Sequence, residues 1–281
     1  MPIRPVITAL LFAVSSSPAQ AQTESVLSAY RLDRGPNTEF RLSNRLREIS
    51  GLAASPEGNV FAHDDEHGIV YQIEPRSGDL LKAFALGDPT IKGDFEGIAL
   101  VDDRLFLVNS DGRLFETREG EDGKRTLYNT YGTGIGRRCE AEGLAFEPSD
   151  RTLWIICKTP RDNELEDHIV IFRWSVDTRE MARDSLLKIP TESLTDALST
   201  RRIRPSGLER HPSGHYIIVA AAESVVIEIT REGAVVDAVT LPKRSHRQVE
   251  GITFLPDGQL VMADEGGRRR SRLTLYTPGT R

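Results

Sequence analysis

The chain has 281 residues, with 36 Lys and Arg against 42 Asp and Glu, a formal net charge of −6. That acidic balance argues against nucleic acid as the main partner, and two cysteines are too few for a disulfide-dense scaffold. The length fits either two ordinary domains or one all-β domain of the larger kind.

The first 21 residues read as a secretory signal peptide. Arg4 gives the positive start, Val6 to Val14 the apolar run, and Ala19-Gln20-Ala21 the small residues of a cleavage site. That run is too short for the roughly 20 residues that span a bilayer, and no later segment is longer or more apolar. The expectation is export to the periplasm or beyond the cell, no membrane span, and a single domain over residues 22–281. No Cys lies near the cleavage site, which argues against a lipoprotein.

From there one short pattern recurs: polar, any residue, polar, Gly, aliphatic. Its copies are Glu48-Ile49-Ser50-Gly51-Leu52, Asp94-Phe95-Glu96-Gly97-Ile98, Glu140-Ala141-Glu142-Gly143-Leu144, Arg204-Pro205-Ser206-Gly207-Leu208 and Gln248-Val249-Glu250-Gly251-Ile252. The glycines are 46, 46, 64 and 44 residues apart, a period that marks a repeat architecture.

After each glycine come a short apolar strand, a turn rich in Pro, Asp, Ser or Gly, and a second strand such as Leu153-Trp154-Ile155-Ile156. Third strands such as Val226-Ile227-Glu228-Ile229 alternate in the manner of half-buried strands, and a fourth such as Leu81 to Leu86 completes the unit. Four antiparallel strands per unit of this length, with no helical period, predict an all-β fold, a β-propeller of four-stranded blades.

Five blades are counted; a sixth would have to lie without the motif inside residues 158–204. The long gap is explained by one short helix inserted over Thr191 to Ser199, where Leu194 and Leu198 are four apart. The last blade ends after three strands, so an N-terminal strand, Val26 to Leu32 or Phe40 to Leu42, is expected to close the ring and remove its open edge.

The inner strands of a propeller line its central channel, so the motif presents Ser50, Glu96, Glu142, Ser206 and Glu250 in one circle. Glu48, Asp94, Glu140, Arg204 and Gln248 lie two residues earlier and point the same way in an extended chain. Crowded carboxylates are costly unless compensated. Three arrangements relieve them: a hard cation such as calcium on Glu96, Glu142 and Glu250, pairing with Lys158 or Arg204, or hydrogen bonds from backbone N–H groups of the next blade. A second tier at the ends of the second strands holds Asp64, Asp65 and Glu66 between His63 and His67, with Lys158, Glu223 and Asp264-Glu265 in equivalent places. The candidate ligand residues are therefore Glu48, Glu96, Glu142, Glu250, Asp64, Glu66, Lys158 and Arg204.

Cys139 and Cys157 fall near each other on neighbouring strands, about three residues off direct opposition, which leaves a disulfide and two free thiols as alternatives. Without nearby His they do not fill a zinc shell. There is no Gly-x-Ser-x-Gly turn, Walker loop or dinucleotide fingerprint.

The five motifs, taken with Asp64-Asp65-Glu66, Lys158-Thr159-Pro160 and Asp264-Glu265, resemble the SdiA-regulated family of exported bacterial proteins over residues 40–277. The resemblance implies a propeller and makes the Glu-Gly positions its site. More distantly the layout is similar to six-bladed calcium-dependent lactonases and phytase-like esterase propellers, although the asparagines that the lactonases place around their metal are missing here. Two functions follow as expectations. One is a monomeric binding or scaffold protein of the envelope, holding a divalent cation or small ligand, or docking an envelope protein. The other is a hydrolase of esters, lactones or phosphoesters with Glu96, Glu142 or Glu250 as base.

Overall fold

The alternating segments pair into five antiparallel sheets in a computed structural model that describes residues 24–279. The expected signal peptide lies outside the described residues. Blade 1 runs outward from Ile49–Ala54 through Val60–Asp64 and Ile69–Glu74 to Asp79–Leu86. Blade 2 comprises Phe95–Val101, Arg104–Asn109, Arg113–Arg118 and Tyr128–Gly132. Blade 3 comprises Cys139–Glu147, Thr152–Pro160, His168–Ser175 and Glu180–Pro190. Blade 4 comprises Gly207–Arg210, Tyr216–Ala220, Val225–Ile229 and Val235–Thr240. Blade 5 has Val249–Phe254, Leu260–Asp264 and Arg272–Tyr276.

Thr38–Arg41 supplies the fourth strand of blade 5, with Phe40 opposite Leu273, so the first and last strands described share one blade. The first strand of each blade packs on the first strands of both neighbours in the order 1-2-3-4-5-1, which closes a five-bladed propeller.

Apolar faces of neighbouring blades bury each other, one core per pair. Blades 1 and 2 enclose Phe61, Phe84 and Phe95, and blades 2 and 3 enclose Phe106, Leu144 and Trp174. Trp154 stacks on Tyr216 between blades 3 and 4, their ring centroids 3.8 Å apart. Val261 and Tyr71 belong to the core between blades 5 and 1.

The core between blades 4 and 5 takes in Leu27, Tyr30 and Leu32. The alternative of a closing strand over Val26 to Leu32 is thereby corrected, since this stretch forms two 3-10 turns, Leu27–Tyr30 and Leu32–Arg34. The cause is Glu228, a fully buried carboxylate that accepts the N–H groups of Val26 and Leu27, each at 3.1 Å. Backbone donors satisfied by a side chain need no strand partner.

Residues 158–204 hold no sixth blade. The extra length is a long outer hairpin, ending with Glu180–Pro190, and the short helix Glu192–Ala197. Blade 1 gains an unforeseen fifth strand, Arg125–Thr126, parallel to the end of Asp79–Leu86. Among the described residues no helix is long and apolar enough to cross a membrane.

Candidate functional site

The motif glycines let five backbones meet around the axis. A Cβ on Gly97 would lie 2.7 Å from Leu144 N, and one on Gly143 would lie 3.0 Å from Leu208 N. On Gly207 it would lie 3.3 Å from Glu250 O, on Gly251 3.2 Å from Gly51 C, and on Gly51 3.2 Å from Gly97 Cα. Each glycine therefore touches the next blade, and the ring closes on backbone with no room for side chains.

One residue earlier the ladder slips. In blade 2 the register passes from Phe95 opposite Asn109 to Gly97 opposite Val108, leaving Glu96 without a partner. Glu142 and Glu250 are skipped in the same way in blades 3 and 5. All three carboxylates therefore sit on β-bulges, which re-aim a side chain out of the normal alternation. Blade 1 instead bulges at Gly51, whose φ is +50°, and the buried His63 ring packs over it. In blade 4 Ser206 is consumed locally: its Oγ donates to Val249 O at 2.7 Å and accepts from Ala221 N at 3.1 Å.

The three bulged acids feel one another's charge and share one cation. Glu142 has a side chain only 2% exposed; its Oε1 accepts from Lys158 Nζ at 2.5 Å, while its Oε2 is buried with no hydrogen-bond partner. Burial, followed by the Glu96 charge, pushes Glu142 up to about 9 against the pull of Lys158. Burial and then Asp94 push Glu96 up to about 8, again opposed by Lys158. Burial raises Glu250 to about 7. Burial also works to lower Lys158, but Glu142, Glu96 and Glu250 outweigh it and hold the ammonium above its ordinary value.

A rim of further acids adjoins this group. Burial and a hydrogen bond shared with Glu48 raise Glu265 to about 7. Burial and then Asp64 raise Asp65 to about 6, and its buried Oδ1 has no partner.

The structure brings Glu96, Glu142, Glu250 and Lys158 within electrostatic reach of one another, and Glu48 reaches the group through Glu265. Arg204 is a correction: its guanidinium pairs with Glu223, Nε to Oε1 3.1 Å, rather than with the motif acids. Asp64 holds its own loop, accepting His67 N at 2.8 Å and facing His67 Nδ1 at 3.1 Å. Glu66 is exposed. Asp65 and Glu265 are the acids of these tiers that join the group; strand alternation could not select them because both lie beyond the strand ends. His63 was singled out only as a flank. Burial drives it down to about 4, so it is neutral at pH 7, and its Nε2 has no partner.

Cys139 and Cys157 form a disulfide with Cα atoms 5.8 Å apart. Cys139 lies opposite Pro160, three residues from Cys157, so the expected offset is real and the bulges around Ala141 accommodate it. The bond ties the strand carrying Glu142 to the strand carrying Lys158. Beside Lys158 a cavity of about 230 Å³ opens between blades 3 and 4, lined by Thr159, His168, Thr191, Arg202 and Arg204 among others.

The oxygens of Glu142 and Asp65 that lack partners suit a hard cation in donor type. Among the described residues, however, no group of three or more His, Cys, Asp or Glu side chains is spaced to hold a metal ion as it stands. Lys158 supplies the positive charge between the bulged acids.

No family model matches the chain, and no curated protein matches it. Solved structures of similar fold include a luciferin-regenerating enzyme, with 10% identity, 88% of this chain and 98% of that one covered, and a TM-score of 0.55. The glutaminyl cyclase of Myxococcus xanthus has 17% identity, 86% and 94% coverage, and a TM-score of 0.56. A PQQ-bound aldose sugar dehydrogenase from Streptomyces coelicolor has 14% identity, 86% and 99% coverage, and a TM-score of 0.54. At these identities the likeness is one of fold.

Proposed function

We propose that this protein is an exported propeller of the bacterial envelope, of the SdiA-regulated kind, whose acidic central mouth binds a small positively charged ligand. Glu96, Glu142 and Glu250 take the ligand, Lys158 holds their place without it, and Glu48, Asp65 and Glu265 form the rim. A divalent cation of the calcium class is the simplest such ligand, and an organic amine is the other.

The observation that carries this reading is the buried, unpartnered Oε2 of Glu142. A buried polar atom without a hydrogen-bond partner costs about 1–3 kcal/mol, a cost that an incoming cation removes when it takes the place of the proton. Purely structural acids accepting backbone N–H groups would leave no such atom. Binding requires proton loss from carboxyls raised to about 7–9 and movement of the Lys158 ammonium. Titration calorimetry with calcium, magnesium and putrescine tests it: wild type is expected to bind one of them saturably with proton release, and Glu142→Gln to lose that binding. No binding of any of the three by wild type would refute the reading.

A second reading, a hydrolase, rests on the spread of the same three carboxyls from about 7 to about 9. Groups poised around neutrality can donate or remove protons at working pH, and propellers host both binding and chemistry. Its test is turnover of p-nitrophenyl esters, lactones and phosphoesters, abolished by Glu96→Gln.

A further inference from the structure

Five arginines from separate stretches of the chain line one cavity on blade 5. Arg41 ends the closing strand, Arg247 precedes the innermost strand, Arg269 and Arg270 lie in the loop before the third strand, and Arg272 begins that strand. The cavity measures about 360 Å³, and only Glu39 and Glu265 oppose the arginines.

The loop is folded so that it returns its arginines to the sheet. Gly266 N donates to Arg47 O at 2.9 Å, and Arg269 N donates to Gly266 O at 2.8 Å. A Cβ on Gly266 would lie 2.6 Å from Arg269 O, so the turn requires glycine. Arg270 is fixed by its Nε, which donates to Leu42 O at 2.7 Å. Arg272 Nη1 lies 3.2 Å from Glu39 Oε2, while its Nη2 is buried without any partner. Among the described residues Arg41, Arg247, Arg269 and Arg270 form no ion pair with a carboxylate, although 42 acids are available in the chain.

Guanidinium groups held in one concavity repel one another, and an oxyanion relieves the repulsion through paired N–H···O bonds. Five arginines against two glutamates leave an excess that suits a dianion better than a single carboxylate. The volume lies within the range of small-molecule sites.

We propose that this arginine-lined cavity on blade 5 binds a phosphate monoester, either free or as a lipid headgroup. The site stands independently of the acidic mouth, although Glu265 lines the cavity and also shares a hydrogen bond with Glu48. A ligand on the arginines therefore sits beside the acidic group.

The test is calorimetric titration of the full mature chain with inorganic phosphate at low salt, with acetate as the monoanion. One phosphate per chain is expected, with acetate much weaker. Arg247→Gln/Arg269→Gln removes two exposed, unpaired arginines, so the thermal midpoint is expected to hold while affinity falls by about tenfold or more. Arg34→Gln/Arg113→Gln, equally exposed and away from this cavity, is expected to leave affinity unchanged. Saturable phosphate binding that is absent from wild type, or weakened equally by both double variants, overturns the proposal. Sedimentation with phosphatidylcholine vesicles containing phosphatidate separates the sources. Vesicle binding displaced by phosphate assigns the headgroup, and phosphate binding without vesicle binding assigns a free monoester. Vesicle binding without phosphate binding overturns the compact site in favour of diffuse attraction.

Discussion

Glu142 and Lys158 form an ion pair 2.5 Å long across the first two strands of blade 3, each held one or three residues from the same disulfide. The pair is asymmetric, for the carboxylate is 2% exposed and the ammonium 36%. Lys158 is the cation that Glu142, Glu96 and Glu250 share. Lys158→Met is expected to destabilise the ligand-free protein by about 1–3 kcal/mol at pH 8, a value below that of fully buried pairs because Lys158 is partly hydrated. Urea denaturation of both proteins measures it. An unchanged midpoint would mean that the three acids do not depend on this lysine.

The disulfide is expected to matter for the site as well as for the fold. Closing a loop of this size stabilises by about 2–4 kcal/mol in the chain-entropy account. Cys139→Ser/Cys157→Ser is expected to lose that much in urea denaturation. The same variant should weaken any ligand of the Glu142 group, because the strands carrying Glu142 and Lys158 are no longer tied.

Gly97 and Gly132 give a matched contrast. A methyl at Gly97 would meet the backbone of Leu144 at 2.7 Å, whereas nothing lies within 4 Å of one at Gly132. Backbone cannot move aside as a side chain tip can, so Gly97→Ala is expected to cost about 2 kcal/mol or more. Gly132→Ala should fall within about 0.5 kcal/mol of wild type. Equal thermal midpoints for the two variants would contradict the closed glycine ring.

Glu147 sets the acid limb of stability. Burial works to raise it, but Tyr216 at 2.6 Å, the Ser149 N–H and Arg210 at 3.1 Å outweigh burial and hold it near 2. A carboxyl lowered by folding contributes stability above its ordinary value near 4.5, and the contribution is lost as pH falls toward 2. Glu147→Gln is expected to lower the midpoint at pH 7 and to narrow its gap to wild type by pH 2.5. A gap that stays constant over that range would count against the assignment.

Much of the architecture was legible in sequence because the motif glycine and the apolar alternation each answer to one physical demand. Five backbones must meet at the axis, and each blade must bury both faces. The need for a closing strand was legible on the same ground, but the choice between Phe40 to Leu42 and Val26 to Leu32 was not. The apolar spacing of Val26 to Leu32 suits either form, and the deciding partner, Glu228, lies about 200 residues away. That the motif acids share one region of the ring was legible, but their aim was not. Alternation placed Glu96 and Asp94 alike, and the bulge that separates Glu96 from the ladder is a property of pairing with Asn109 and Val108. Arg204 was misplaced because its partner Glu223 sits in the turn between Tyr216–Ala220 and Val225–Ile229, whose fold decides which acid is within reach.

As a ligand site, Glu96, Glu142 and Glu250 are not structural supports of the ring. The most direct test is the pH dependence of the thermal midpoint of wild type and of Glu96→Gln/Glu142→Gln/Glu250→Gln, both without ligand. Carboxyls raised by folding keep their protons in the native state, so native stability declines as pH rises from about 4.5, their unfolded value, through 7–9. Gln mimics the protonated form and removes that decline. The two proteins are expected to match near pH 5 and the variant to unfold at the higher temperature at pH 9. A variant that is less stable than wild type at both pH values would show that the acids hold the blades together, and would contradict the account.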